Sequence, residues 1–199
     1  MNGGQKMNAS TAELAIGLLH YPVLNKRGET IGSAVTNLDL HDISRAARTY
    51  GVKNYFVATP FEDQLELIEE IAEHWLNGHG ASANPARKEA LEIVRAVDGL
   101  DTMVETMSGP SRQRVLVVAT SARQQGTQMS YGALRSHLKM NREPVLLLFG
   151  TAHGLAPEII DRVDAVLPPI GRQADYNHLS VRSAVSIILD RLLGDRDRG

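Results

Sequence analysis

The chain has 199 residues, 43% hydrophobic and 22% charged, with a formal net charge of -2. This composition suits one globular domain with a core of its own, and the slight acidity argues against a generic polyanion binder while leaving room for a local basic patch. With no cysteine present, disulfides, thiolate zinc sites, iron–sulfur ligation and cysteine nucleophiles are excluded, and a reducing compartment such as the cytoplasm is expected.

Residues 1–12 are expected to form a flexible tail; MNGGQKMNASTAE lacks the apolar stretch of a signal peptide, and Met7 is an alternative start. No apolar run reaches the roughly 20 residues of a membrane span. LAIGLLHYPV, Leu14 to Val23, reads as a buried strand ended by Pro22, and NKRGETIGS as a turn-rich loop. In LDLHDISRAARTYGV, Leu40, Ile43, Ala46 and Ala47 share a helical stripe, with Gly51 as the stop. Lys53–Ala58 is a second strand, and Pro60 opens the amphipathic helix FEDQLELIEEIAEHWL.

NGHGASANPARKEAL then reads as a glycine-rich loop leading into a helix near Pro85. Val94–Val97 is a short strand and Leu100–Met107 a short helix. Arg114–Thr120 is a buried strand, SYGALRSHL a helix capped by Ser130, and Pro144–Gly150 another buried strand. APEIIDRV is a short helix, DAVLPPI a strand ended by two prolines, and YNHLSVRSAVSIILDRLLG the last helix, with residues 195–199 a charged tail. Apolar strands alternating with helices predict an α/β fold with a mostly parallel sheet, covered by helices on both faces. Residues 13–194 are read as one domain with a helical insertion over about 61–93.

In such a sheet, ligands bind beyond the carboxyl ends of the strands. G-x-G-x-x-G after the first strand, the P-loop and G-x-S-x-G are all absent, which disfavours a dinucleotide fold, a P-loop NTPase and a hydrolase elbow. The seven histidines lack zinc-ligand spacing, and no metal is expected. Two stretches stand out instead. In LLLFGTAHGLAPEII a strand ends at Gly150 and Gly154 precedes a helix, either as a plain strand-to-helix turn or as a place where backbone approaches a flat ligand. In the second, the apolar last helix opens with Tyr176, Asn177, His178, Ser180, Arg182 and Ser183, more polar groups than capping needs.

The tandem FGTAHGL and LPPIGRQADYNHLSVRSAVSIIL resembles motifs 2 and 3 of the SPOUT superfamily, RNA methyltransferases that use S-adenosylmethionine. DLHDISRAARTYGV, with Arg45 and Gly51 at matching offsets, resembles the motif 1 of its ribose-methylating branch. The resemblance runs from about Leu14 to Gly194, and TNLDLHDI, HW..G.G...NP.R and FGTAHGL look like stretches of a bacterial SPOUT subfamily. It implies a deep C-terminal trefoil knot, a feature otherwise nearly absent from proteins. It also implies a homodimer with its active site at the interface, and RNA (tRNA or rRNA) as substrate.

By position, the resemblance assigns S-adenosylmethionine contacts to Thr120, Phe149, Gly150, Gly154, Leu167, Pro169, Ile170, His178, Leu179 and Ser180. Phe149, Leu167 and Leu179 are equally read as plain core. Arg45 matches the motif 1 arginine, which in relatives engages substrate phosphate or assists proton removal; the alternative is a solvated arginine. Asp39 stands where ribose methylases place asparagine and is either a base or the N-cap of its helix. His178 stands where many relatives have serine and is either a proton acceptor or a backbone hydrogen-bonder. Ala152-His153 fall where many relatives carry a glutamate, which leaves ribose and base methylation both open.

Trp75 as a stacking surface, Arg87 at a helix start and Arg123 are the substrate-binding candidates, with Arg135, Lys139 and Arg142 as further rim cations. For Trp75 the competing reading is a helical hairpin with a buried ring. Beside the enzyme stand two other hypotheses: an RNA-binding SPOUT module without turnover, and an α/β protein for another nucleotide.

Overall fold

The computed structural model describes residues 12–171 and 176–195. Its centre is a six-stranded sheet, every pairing of which is parallel. In chain order the strands are β1 (Leu14–Leu19), β4 (Asn54–Ala58), β5 (Val94–Val97), β6 (Leu116–Thr120), β7 (Val145–Gly150) and β8 (Ala165–Leu167). A small antiparallel pair, β2 (Val23–Leu24) and β3 (Thr30–Ile31), stands apart. The helices are α1 (Asn37–Thr49), α2 (Glu62–Leu76), α3 (His79–Ala83), α4 (Pro85–Leu91), α5 (Leu100–Ser108), α6 (Tyr131–Met140), α7 (Pro157–Ile160) and α8 (Val181–Leu193).

The strands are almost wholly apolar because both sheet faces are covered, with Arg95 exposed on the edge strand β5. Alternate residues go to opposite layers. Ile16, Leu18, Tyr55, Val57, Leu147 and Phe149 meet Leu40 and Ile43 of α1 and Val185 and Leu189 of α8. Ala15, Leu19, Phe56, Leu146 and Leu148 meet Met103 and Met107 of α5 and Ile159 of α7. Gly17 allows α5 to lie close: a Cβ there would stand 2.7 Å from the Met103 sulfur.

Spatially the order is β5-β4-β1-β7-β6-β8. The chain walks outward from β1 through β4 to β5, returns to β6 beyond a gap, fills that gap with β7, and ends outside β6 with β8. The direction of progress reverses between β1 and β7, and a crevice opens there at the carboxyl ends of the strands.

Three local readings change. The first strand stops at Leu19, not Val23, because His20, Tyr21 and Pro22 turn the chain through a cis Tyr21-Pro22 bond before β2 begins. The loop NKRGETIGS contains the β2–β3 hairpin turn, where Asn25 Oδ1 accepts the N–H groups of Arg27 (2.8 Å) and Glu29 (3.0 Å). The glycine-rich segment before Pro85 contains the short helix α3. The α/β fold with a parallel sheet and helices on both faces is as expected.

Candidate active site

Five stretches converge at the reversal point: residues 33–36 before α1, 120–123 after β6, 150–155 after β7, 168–170 after β8, and 177–180 before α8. Together they enclose a cavity of about 930 Å³, the size of a small-molecule site. Phe149, Leu155, Ile170, Leu179 and Ile188 give its wall apolar faces, while Ser33, Thr36, Asp39, Arg123 and Arg182 supply polar groups.

The β7 loop is built on close backbone contact. A Cβ on Gly150 would lie 2.6 Å from the Leu155 nitrogen and 2.9 Å from the Gly154 carbonyl carbon, so the loop folds directly onto that glycine. Gly154 has φ +105 with open space around its α-carbon, a backbone state that side-chain-bearing residues rarely adopt. Thr151 Oγ1 donates to the Leu19 carbonyl at 3.1 Å and is joined to Ser33 Oγ at 2.5 Å, which bonds His20 Nδ1 at 3.1 Å. This run ties the ends of β1 and β7 to the loop before α1. Burial holds the His20 imidazole below its ordinary pKa, against the opposing pull of Asp39 and the Ser33 and Ala34 backbone.

The polar opening of the last helix now has an account. Ser180 is the N-cap of α8, its Oγ accepting the Ser183 N–H at 3.2 Å. Asn177 Nδ2 donates to the Ala122 carbonyl at 3.0 Å and links this segment to the β6 loop. Arg182 Nη1 donates to Asp39 Oδ1 at 2.8 Å, and its Nε lies 3.4 Å from Asp42 Oδ2. His178 lines the cavity with its ring edge-on to Tyr176.

Asp39 is not the N-cap of α1. That residue is Thr36, whose Oγ1 accepts the Asp39 N–H at 3.2 Å and donates to Asp39 Oδ2 at 2.7 Å. Asp39 is therefore the third residue of α1, bonded to the hydroxyl of the cap, and buried at 5% exposure with both carboxylate oxygens engaged. Behind it, the buried Tyr55 hydroxyl donates to the Asp39 carbonyl at 3.4 Å, and burial raises that phenol's pKa well above the ordinary value.

Of the residues the motifs single out, Thr120, Phe149, Gly150, Gly154, Ile170, His178, Leu179, Ser180, Asp39 and Arg123 line the cavity. Thr120 directs its hydroxyl into the sheet, to the Leu148 carbonyl at 2.9 Å. Leu167 packs in the main core and Pro169 is half-buried, both off the cavity wall. Arg45 is exposed in the middle of α1, also off the wall. Trp75 and Arg87 sit away from the cavity. The Arg87 guanidinium lies 4.8 Å from the centre of the Trp75 ring, which is half-buried against the core and met edge-on by His41 and His74. Sequence reasoning assigned no role to Ser33, Thr36, Thr151, Tyr131 or Arg182; Arg182 had a signal in the polar helix start, the others none that stands out from ordinary loop composition.

Among the described residues no cluster of histidine and carboxylate groups is arranged to hold a metal ion, and no helix is long and apolar enough to cross a membrane.

A parallel sheet with a mixed apolar and polar cavity at its reversal point is an α/β protein with a ligand-sized site where such sheets place their ligands. The chain belongs to the family described as SAM-dependent RNA methyltransferase, matching it over residues 13–194. A tRNA (guanine-N(1)-)-methyltransferase of Oleidesulfovibrio alaskensis is 47% identical over 178 residues, which are 89% of this chain and 41% of that protein. The chain thus spans about two fifths of the length of that relative.

The structure of TrmJ from Z. mobilis superposes with TM-score 0.63 at 16% identity, covering 94% of this chain and 70% of the other. The SpoU methyltransferase AviRb from Streptomyces viridochromogenes, solved with AdoMet, superposes with TM-score 0.58 at 14% identity, covering 95% and 60%. At such identities the likeness is one of fold. The RNA methyltransferase family read from the motifs is borne out, as is S-adenosylmethionine as that family's methyl donor, and the fold is shared with a SpoU methyltransferase.

Proposed function

We propose that this chain binds S-adenosylmethionine in the 930 Å³ cavity and methylates a tRNA nucleotide presented at its mouth. The observation carrying this reading is the convergence of three motif segments, from α1, the β7 loop and the α8 start, on one cavity wall. The wall suits such a ligand: apolar side chains for a flat ring system and polar groups for a ribose and an amino acid. The cofactor has no phosphates, which agrees with the lack of a P-loop.

When bound, the sulfonium supplies an electrophilic methyl group; the protein has to align the acceptor and remove its proton. Phe149, Ile170 and Leu179 flank the ring system, and Gly150, Gly154 and Ser180 bring main chain close to it. His178 accepts the acceptor's proton. Asp39 is committed to Arg182 and Thr36, and its part is to hold the cavity wall. Arg45, off the wall, is assigned to substrate phosphate, and Arg123 to the cavity mouth.

The strand order, with β7 inserted between the earlier β1 and β6, supports a C-terminal trefoil knot. Leu38 and Leu179, 59% and 47% exposed at the starts of α1 and α8, support a homodimer that closes over the cavity. The reading places the enzyme in the cytoplasm and needs no metal. The relative's name favours tRNA, yet its guanine-N1 activity is that of a protein more than twice as long, so ribose oxygen and base nitrogen both stand as acceptors.

The test is calorimetric titration with S-adenosylmethionine and S-adenosylhomocysteine, followed by nucleoside mass spectrometry of tRNA transcripts incubated with enzyme and donor. Micromolar binding that Leu179→Asp weakens at least about tenfold, and a methylated nucleoside lost in His178→Ala with donor binding retained, are expected. No binding at millimolar donor overturns the reading. Donor binding without any methylated RNA favours a module that has lost turnover.

A further inference from the structure

The net charge of -2 conceals an asymmetry. Helix α2, packed against β5 at one edge of the sheet, carries Glu62, Asp63, Glu66, Glu69, Glu70 and Glu73, with His74 its only basic group. That flank repels a polyanion. Only the first turn of α2 reaches the cavity's edge, where Gln64 Oε1 accepts the Val35 N–H at 2.8 Å, and the β2–β3 hairpin stands directly against the cavity. Leu24 of the hairpin is part of the cavity wall.

The hairpin is fastened to the β7 loop by main chain. The Leu24 N–H donates to the Gly154 carbonyl and the His153 N–H to the Leu24 carbonyl, each at 2.9 Å, and Val23 bridges Leu155. Its turn is held from within by Asn25, whose side chain also donates to Glu29 Oε2 at 2.7 Å. Lys26 and Arg27 are left at the tip, exposed, and neither side chain has an ion-pair partner among the described residues. Glu29, the one carboxylate in the hairpin, is turned to Asn25.

We propose that the β2–β3 hairpin is a substrate arm, with Lys26 and Arg27 taking phosphates of the RNA strand beside the nucleotide that enters the cavity. This rests on the RNA methyltransferase reading above. A rigid turn presents two cations without neutralising them and fixes their distance from the cavity. Phosphate contacts of this kind set the register of the strand and carry no base preference. The acidic flank leaves this mouth as the favoured direction of approach.

The experiment is fluorescence titration of an unmodified tRNA transcript with the full chain between about 50 and 200 mM salt. The wild type is compared with Lys26→Ala/Arg27→Ala and with Lys53→Glu. Lys53 is exposed just before β4, at the opposite end of the strands from the cavity, and its reversal changes net charge by as much as the double substitution. The double variant is expected to lower affinity about tenfold at the upper salt and to reduce the salt slope by about 1.4 to 1.8, as two phosphate contacts require. Its thermal midpoint and its affinity for S-adenosylmethionine should match the wild type.

An unchanged salt slope overturns the arm, as does an equal loss in Lys53→Glu, which would make the effect one of overall charge. If the wild type binds S-adenosylmethionine but no RNA, the RNA reading fails and the arm with it. If the wild type binds RNA and the double variant binds it equally well, the arm alone fails.

Discussion

Arg182 Nη1 and Asp39 Oδ1 meet at 2.8 Å, joining residues 143 positions apart on the two helices that open against the cavity. Asp39 is 5% exposed, while the Arg182 side chain keeps a third of its surface. Removing a partner from a buried pair costs about 3–5 kcal/mol. With Arg182 partly solvated, Arg182→Met should cost about 2–3 kcal/mol in urea denaturation. Adding Asp39→Asn should restore at least half of that, because an amide needs no counter-charge. Single-variant stability equal to wild type would make the pair a surface ornament.

The two glycines of the β7 loop are required for different reasons, and alanine should separate them. At Gly150 a Cβ collides with the main chain of Gly154 and Leu155, which no rotamer change relieves. Gly150→Ala should cost about 3 kcal/mol by overpacking and weaken S-adenosylmethionine binding more than about tenfold by displacing the loop. At Gly154 the space is open and only φ +105 resists a side chain. Gly154→Ala should cost about 1–2 kcal/mol and spare most of the affinity. Paired thermal melts and calorimetry decide it; equal effects would mean that steric contact is not what matters.

How far the sequence could reveal this site depends on the range of each interaction. Strand and helix identities were legible because apolar runs and helical stripes are local patterns, as in β7 and α1. The cavity's glycines and the α8 start were legible through motif order. The Asp39–Arg182 pair was not, since neither residue indicates that its partner lies 143 positions away. The same holds for the Ser33–Thr151 contact, across 118 positions. The hairpin escaped notice because two-residue strands leave no alternation to detect, and its turn is fixed by the Asn25 side chain rather than by a glycine pair.

Two buried or half-buried histidines predict an acid-sensitive fold. Burial lowers the pKa of His20 and of His41 from 6.5; at His41 the charges of Arg87 and Arg45 add to this and Asp42 opposes it. With folded pKa values below the unfolded one, the unfolded chain binds more protons in that interval. Stability is therefore fully present above about pH 6.5 and falls as the pH drops toward the folded values. Each group contributes a slope of up to about 1.4 kcal/mol per pH unit. Urea midpoints between pH 7 and pH 5 should fall, and His20→Asn should flatten the curve by about one proton. A wild-type curve that is level over that interval would contradict this.

The last prediction concerns the strand exit opposite the β7 loop. Tyr131, the first residue of α6, donates its hydroxyl to the Pro168 carbonyl at 3.1 Å, and its ring lies 5.1 Å from the Arg191 guanidinium carbon. Tyr131 and Pro168 both line the cavity, so this bond fixes one wall just before the segment that leads to α8. Tyr131→Phe keeps the ring and removes the hydroxyl, with its bond to Pro168 and its contact with Arg191. It should cost about 1 kcal/mol of stability and weaken S-adenosylmethionine binding about threefold to tenfold, while leaving the slope of urea unfolding unchanged. Tyr131→Ala, which also removes the ring, should lose about 3 kcal/mol or more. A Tyr131→Phe protein that is destabilised yet binds the donor with wild-type affinity would show that Pro168 holds its place through the sheet alone.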